Sequence, residues 1–308
     1  MFVLRRISRS LVTVWLCVTF VFVILRLSGD PTTTILPIDA ITPEVREFYR
    51  VHWGLSESLW KQYLLYFVNI LQGDLGFSFR NGHDAVAIVL ERLPSTLELV
   101  GISAVFTLLV GIAGGLAAAL YRGTTWDTGI MFLSVLGFSV PNFFLAIVLI
   151  LLFSVAFGWL PTSGNSSWQH YILPVTCLSM SWIGIFARFS RAALLEAKGE
   201  EFVMAARARG LAPNLVYRRH VFPHTAIPII TLSGLYLGGL ITGSLVVENV
   251  FAWPGIGRLL VEAVGSRDLA VVQVIILLAA ACMVATNLVV DLTYGWIDPR
   301  IRLQSGSE

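Results

Sequence analysis

The stretch TLELVGISAVFTLLVGIAGGLAAALY, residues 96–121, decides how this chain folds. A bilayer core offers backbone groups no water, so a spanning helix must satisfy its own hydrogen bonds over about 20 apolar residues. This stretch exceeds that length and carries one charged side chain, Glu98, near its start. It therefore predicts a transmembrane helix.

Five further apolar runs predict the same structure, and together they indicate an all-α membrane protein with six transmembrane helices. The predicted spans are residues 10–27, 96–121, 128–157, 171–189, 226–247 and 269–291. The composition agrees, because 56% of the residues are hydrophobic, only 13% are charged and the mean hydropathy is +0.79. The first run has the basic start of a secretory signal, but it is too long and lacks an Ala-x-Ala cleavage site, which favours a retained span.

The short loops between the spans carry their basic residues on one side. If the N terminus is cytoplasmic, thirteen Lys and Arg residues face the cytoplasm, and the short outer loops hold only Arg258 and Arg267. The thirteen are Arg5, Arg6, Arg9, Arg122, Arg188, Arg191, Lys198, Arg207, Arg209, Arg218, Arg219, Arg300 and Arg302. The positive-inside rule therefore predicts that both termini are cytoplasmic; the outer segment between the first two spans is too long for the rule to apply.

The predicted spans divide the chain into four parts. They are the N terminus with the first span (1–28), an extracytoplasmic helical segment (29–95), a five-helix core (96–294) with the cytoplasmic loop 196–225, and a cytoplasmic tail (295–308). In the outer segment, Thr42, Pro43 and Gly54 favour one short helix. A second helix follows from apolar residues at helical spacing between Leu59 and Leu71, and it suits either the headgroup zone or packing on the spans.

Small residues and one proline stand out inside the predicted spans. Gly111, Gly115 and Ala119 recur every fourth residue, which is typical of close helix packing in membranes. Pro141 removes a backbone donor in the middle of the third span and predicts a kink near Ser139 and Asn142. These last three residues are candidates for lining a transport pathway, with a purely structural kink as the alternative. The three cysteines are Cys17, Cys177 and Cys282, each in an apolar run, and they are expected to be free.

Charged residues are expected only near the ends of the spans. The residues concerned are Arg26, Glu98, Arg188, Glu248 and Asp291, whose side chains would reach water from there. Carriers driven by protons or sodium ions depend on buried ionisable groups, so this pattern disfavours that class.

The chain is not expected to bind ATP or to act as an enzyme. Its two lysines, Lys61 and Lys198, do not follow a glycine, so the Gly-Lys pair of a phosphate-binding loop is absent. His220 and His224 have the spacing of a zinc-protease helix but lack its glutamate, so no metal site and no catalytic residue is predicted.

Residues 200–220 form a strongly charged stretch in this otherwise apolar chain. Glu201 lies at the start of a predicted helix and Arg207 and Arg209 at its end, which matches the helix dipole. Three small side chains are expected to give that helix a face on which another protein packs: Ala205, Ala206 and Ala208.

A turn and a second helix follow. Gly210 is expected to end the first helix, and Pro213 suits the first turn of the next one. The resulting helix, turn and helix form either a solvated loop or a docking surface for a partner that supplies energy.

The same stretch resembles the EAA loop of ABC-importer permeases. Ala205, Ala206, Gly210 and Pro223 match that pattern, while Met204 stands in place of its glutamate. Segments along the chain, among them LRLSGDP, RLPSTLELVGISA, VVENVFAWPGIGRLLVEAVGSRDLAVVQ and DPRIR, are similar to the first permease subunit of dipeptide and oligopeptide ABC importers.

The resemblance implies a type I ABC importer permease fold in a prokaryotic plasma (inner) membrane. The chain would form half of a translocation pathway together with a second, similar permease subunit. An extracytoplasmic peptide-binding protein would deliver the substrate, and ABC ATPase subunits would bind ATP and Mg²⁺, leaving this chain without a cofactor. The implied ATPase-coupling residues are Glu201, Ala205, Ala206, Arg207, Arg209, Gly210 and Pro213.

Other substrates and classes stay open at this point. Related permeases serve importers of nickel chelates, glutathione and other small solutes, while an intramembrane enzyme and a structural scaffold represent different classes. The loop FAWPGIGRLL begins at Phe251, and its Trp253 and Pro254 are expected to contact the binding protein or the pore mouth. A stabilising turn is the alternative for that loop.

Overall fold

The computed structural model describes residues 2–27, 44, 47, 51, 56–78 and 82–297, and these are mostly helical. The α-helices of four or more residues within the described part are α1 (Phe2–Leu27), α2 (Leu59–Gln72), α3 (Ala85–Leu120), α4 (Thr125–Ser139), α5 (Asn142–Leu149), α6 (Gln169–Gly199), α7 (Glu201–Ala208), α8 (Pro213–Val216), α9 (Phe222–Val250), α10 (Ile256–Gly265) and α11 (Leu269–Ile297). Two π-helical segments, Ile150–Ala156 and Tyr217–Val221, continue α5 and α8.

Within the part of the chain that the structure describes, four helical stretches are long and apolar enough to cross a membrane. They are Ala85–Leu120, Gln169–Gly199, Pro213–Leu240 and Leu269–Thr286. A bent pair, α4 with α5 and its π-helical segment, raises the number to five, and α1 contains a shorter apolar stretch, Leu11–Ile24. The all-helical membrane architecture is confirmed, whereas length and composition do not reproduce the predicted count of six spans.

The predicted third span is broken rather than continuous. Helix α4 ends at Ser139, Val140 is extended, and α5 begins at Asn142 with Pro141 as its N-cap. The helix axis bends by 105° between the two halves. Proline cannot donate a backbone hydrogen bond and favours an extended residue before it, which explains the position of the break. The kink predicted at Pro141 is therefore confirmed, and it divides the predicted span at residues 128–157 into two helices.

Helices α3 and α6 pack closely along the small-residue face predicted from the sequence. A Cβ atom added at Gly111 would lie 2.7 Å from the Cβ of Phe186, and one added at Gly115 would overlap the carbonyl oxygen of Ala187. Glycine lets the two backbones approach at these positions. The main hydrophobic core extends from this contact to α9 and contains Val100, Leu178, Phe186, Tyr236 and Val247.

Helix α2 forms as predicted and contacts α1. The hydroxyl oxygen of Tyr63 lies 2.8 Å from that of Thr19, and the Tyr63 and Phe22 rings are 5.2 Å apart between centroids. Leu59 and Leu71 stay largely exposed. The structure therefore supports packing of α2 on the first span, and among the described residues no side chain covers Leu59 and Leu71.

Two sequence predictions fall mostly outside the described residues. The short helix expected over residues 42–54 is described only at Glu44, Glu47 and Val51, which are helical. The tail 295–308 is described only to Ile297. The three cysteines all lie in the described part, and they are free as predicted.

Candidate functional site

The charged loop folds as a helix, a turn and a helix. Helix α7 ends at Ala208, Gly210 has a φ of 76°, and Pro213 occupies the first turn of α8. A Cβ atom at Gly210 would meet nothing within 4 Å. Its positive φ, rather than lack of space, therefore explains why glycine suits this position.

A hydrophobic cluster attaches the loop to the bundle. Val203 and Ala206 of α7 are 0% and 5% exposed, and they pack with Leu194 and Ala197 of α6 and with Ala119 of α3. Residues three apart on a helix lie on the same side, so Ala206 follows Val203 toward the bundle. The prediction that Ala206 belongs to an outward face is wrong, because its side chain fills the chain's own core.

The opposite side of α7 is free for contact. Glu201, Ala205, Arg207 and Arg209 are all exposed, and so is Met204. Within the described residues, neither arginine forms an ion pair. The loop thus offers a small, charged surface on a rigid base, which is a suitable site for another protein.

An ion pair joins α4 to α6 on the same side of the bundle as the loop. The Arg191 Nε donates to Asp127 Oδ1 at 2.7 Å, and its Nη2 donates to Oδ2 at 2.8 Å. The backbone N–H of Gly123 also donates to Oδ2, at 3.0 Å. Such a two-pronged contact is stronger and more directional than a single one, so it fixes the start of α4 against α6.

The break after α4 is also held by α6. The Ser181 hydroxyl donates to Asn142 Oδ1 at 3.0 Å and to the Gly137 carbonyl at 3.2 Å, and the Cys177 thiol donates to the Asn142 carbonyl at 3.2 Å. Ser139 donates back to its own helix. Asn142 therefore contacts α6, while Ser139 and Pro141 are exposed on the surface of the chain. Their role in a pathway stays a prediction.

The loop after α9 is folded against the bundle. The Trp253 side chain is 0% exposed, its Nε1 donates to the Ser95 carbonyl at 2.9 Å, and its ring stands edge-on to Tyr171 at 4.7 Å between centroids. This burial favours the alternative, a stabilising turn, over contact of Trp253 with the binding protein or the pore mouth. Pro254 keeps partial exposure, and helix α10 follows directly where the sequence indicated only a loop.

Glu248 is the residue of this region that sequence reasoning missed. Its side chain was expected to reach water from the end of a span, but it is 0% exposed. The Ser244 hydroxyl donates to Oε1 at 2.9 Å, and the backbone N–H of Gly257 donates to Oε2 at 2.7 Å. Beside it, Thr96 Oγ1 accepts from the backbone N–H of Ile256 at 2.8 Å. These bonds compensate the burial of the carboxyl group and tie the end of α9 to the start of α10.

Two glycines make room for this contact. A Cβ atom at Gly255 would overlap Glu248 Oε2, and one at Gly257 would lie 2.9 Å from the same oxygen. The available sequence signal was local: Glu248 lies four residues after Ser244, on the same face of a helix, and shortly before these two glycines.

Comparison with known proteins identifies the family. Residues 111–303 match the family described as "Binding-protein-dependent transport system inner membrane component", and residues 1–100 match the corresponding N-terminal family. The chain belongs to this family. It is thus a permease component of a transport system in the inner membrane.

Known relatives match nearly the whole length of the permease. It is 39% identical over 302 residues to the glutathione transport system permease protein GsiC of Escherichia coli (strain K12), with 98% of each chain covered. The GsiC protein of Shigella dysenteriae serotype 1 (strain Sd197) gives the same identity and coverage, and that of Shigella boydii serotype 4 (strain Sb227) is 38% identical.

Solved structures share the fold of about two thirds of the permease. An inward-facing MetNI methionine ABC transporter aligns with a TM-score of 0.56 at 19% identity, covering 68% of the permease and 96% of that chain. An amino acid ABC transporter with histidines aligns with a TM-score of 0.54 at 17% identity, covering 67% and 92%. The permease therefore has the fold of ABC-importer permeases, as the sequence predicted.

Proposed function

We propose that this permease forms half of the translocation pathway of an ATP-driven importer for small peptides, a class that includes dipeptides, oligopeptides and glutathione. The observation that carries the proposal is the 39% identity to glutathione permeases over 98% of both chains. Glutathione is itself a tripeptide, so the peptide substrate inferred from the sequence and the relatives' glutathione belong to one chemical class.

Three kinds of partner complete the proposed importer. They are a second, similar permease subunit, ABC ATPase subunits that bind ATP and Mg²⁺, and an extracytoplasmic binding protein. The family description, which names dependence on a binding protein, supports the last of these. The fold shared with permeases of ABC transporters supports the first two. The predicted orientation places both termini and the α7–α8 loop in the cytoplasm.

Energy coupling is assigned to the loop formed by α7, Gly210 and α8. ATP can shift the permease from one conformation to another only through contacts that differ between the two conformations. An ATPase therefore needs a contact surface that is rigidly attached to the bundle. The buried Val203 and Ala206 supply rigidity, and the exposed Ala205, Arg207 and Arg209 supply the contact surface. Glu201 stabilises α7 and Pro213 stabilises α8, the two helices of this loop.

Helix α6 is proposed to transmit movement of the α7–α8 loop to the rest of the bundle. Its C-terminal end packs under α7, its Arg191 holds Asp127 of α4, and its Ser181 holds Asn142 of α5. A push on α7 that moves α6 would therefore act on both halves of the broken span. Residues Ser139, Pro141 and Asn142 at this break are proposed to move during transport.

The test is uptake by the complete assembly in proteoliposomes. The permease is purified from native membranes with its partners, and uptake of glutathione, a dipeptide and a nickel chelate is compared in the presence of ATP. We expect ATP-dependent uptake of glutathione or the dipeptide that requires the binding protein. Uptake of the nickel chelate alone would refute the peptide class, and activity of the isolated chain without partners would refute the whole proposal.

A further inference from the structure

A polar cavity lies beside the loop that Glu248 holds. It has a volume of about 260 Å³ and is lined by Arg92, Pro254, Gly255, Arg258, Leu259 and Glu262. Arg92 lies in the first turns of α3, before the predicted span at residues 96–121, and Arg258 and Glu262 lie on α10. The sequence places all of these residues on the outer side of the membrane.

One side of this cavity is rigid. The Arg258 Nε donates to Glu262 Oε1 at 2.8 Å, and its Nη1 donates to the Ala252 carbonyl at 2.9 Å. The loop below it is fixed by the buried Trp253 and Glu248. A surface that is already ordered loses little conformational entropy when a partner binds, so its contacts contribute more fully to affinity.

The cavity has one positive charge in excess. Glu262 is paired with Arg258, whereas Arg92 has neither an ion pair nor a side-chain hydrogen bond within the described residues. A guanidinium group presents several donors in a plane, and it matches the two oxygens of a carboxylate. The chemistry of the cavity therefore selects a carboxylate ligand.

We propose that this cavity, with Arg92 as the principal ion-pair partner, receives an acidic side chain of the extracytoplasmic binding protein. The inference deepens the proposed function and rests on it. A protein carboxylate is favoured over that of a peptide substrate because the cavity lies on α10 and on the pre-span turns of α3, at the outer end of the bundle. Arginine is also enriched at protein interfaces, where it forms oriented ion pairs.

The test measures how the reconstituted importer responds to its binding protein. The binding protein encoded beside the permease gene is purified, loaded with glutathione and titrated against wild-type importer and the Arg92→Gln, Arg92→Glu and Lys61→Gln variants. The last variant is the matched control, because it removes one exposed positive charge from α2. The readout is the binding-protein concentration that gives half of the maximal uptake rate.

We expect Arg92→Gln to raise this half-saturating concentration about two- to fivefold at low salt, with an unchanged maximal rate. Arg92→Glu should raise it further, Lys61→Gln should leave it unchanged, and high salt should reduce all differences because it screens exposed charges. Equal half-saturation in wild type and both Arg92 variants would overturn the inference alone. A shift only in the glutathione dependence at saturating binding protein would assign the cavity to the substrate and also overturn it. A wild-type importer that ignores the binding protein would overturn the proposed function as well.

Discussion

Replacing Glu248 should loosen the loop beside the polar cavity lined by Arg92 and Arg258. The Glu248→Gln substitution keeps the shape of the side chain but leaves one acceptor oxygen for donors that include the Ser244 hydroxyl and the backbone N–H of Gly257. The amide oxygen can keep the bond from Gly257, while the Ser244 hydroxyl must turn and accept from the new NH2 group. Because bonds to a carboxylate are about twice as strong as neutral ones, the expected loss is about 1–2 kcal/mol.

Removing the side chain costs more. In Glu248→Ala the backbone N–H of Gly257 and the Ser244 hydroxyl lose their partner in a site without water access, and a cavity remains. Each buried unsatisfied group costs about 1–3 kcal/mol, so the two groups and the cavity together cost at least about 3 kcal/mol. The control is Glu57→Gln, which breaks an exposed pair with Lys61 and should cost less than about 1 kcal/mol.

Hydrogen exchange of individual backbone amides in the purified importer measures how much each substitution destabilises the loop. Since about 1.4 kcal/mol corresponds to a factor of ten, exchange of the amides of Ile256 and Gly257 should speed up about tenfold in Glu248→Gln and at least about hundredfold in Glu248→Ala. The Glu57→Gln protein should match wild type at these amides. If both Glu248 variants also match wild type there, Glu248 does not hold the loop and the reasoning fails.

Two glycine pairs supply further predictions. Gly210→Ala and Gly123→Ala both place a side chain at a positive φ in open space, and each should destabilise the fold by about 1 kcal/mol. Only Gly210→Ala should also lower the number of peptides imported per ATP hydrolysed. Equal coupling in the two proteins would argue against the loop. Gly115→Ala should lower the midpoint of thermal unfolding by the equivalent of about 2–3 kcal/mol, because its Cβ overlaps α6, whereas Gly101→Ala, with no neighbour within 4 Å, should be neutral or slightly stabilising. Similar midpoints for these two variants would contradict the close packing of α3 and α6.

Local chemistry explains most of what the sequence predicted correctly. In lipid, a long apolar run satisfies its backbone hydrogen bonds by forming a helix, so the helical architecture follows from the apolar runs alone. Gly210 and Pro213 affect the backbone conformation only of residues close to them in sequence, and the helix, turn and helix form there as expected. The position of the break at Pro141 is likewise set by the missing donor.

The features that the sequence did not predict depend on contacts between residues that are far apart in the sequence. Trp253 is buried because Ser95 accepts its N–H, and the neighbouring Thr96 binds the loop that Glu248 holds. No local pattern brings these segments together. Ala206 faces inward because α6 lies on that side of α7, and the sequence of the loop alone does not specify the side.

The broken span shows both contributions. Pro141 fixes where the chain bends, but the angle of 105° accompanies contacts of Asn142 with Ser181 and Cys177 on another helix. A kink was therefore predictable, and its size was not. Helix α3 likewise begins at Ala85, well before its apolar run, because Asp84 caps it by accepting from the backbone N–H of Val86.

The most direct test of the central claim is a photo-crosslinker placed on α7 of the working importer. Ala205 is exposed and Ala206 is buried, so the two neighbouring positions provide a matched pair. A crosslinker at Ala205 should capture an ATPase subunit, with a yield that changes when ATP is added, while one at Ala206 should react within the permease. Failure to capture an ATPase from Ala205 in an importer that still transports would contradict energy transfer through this loop.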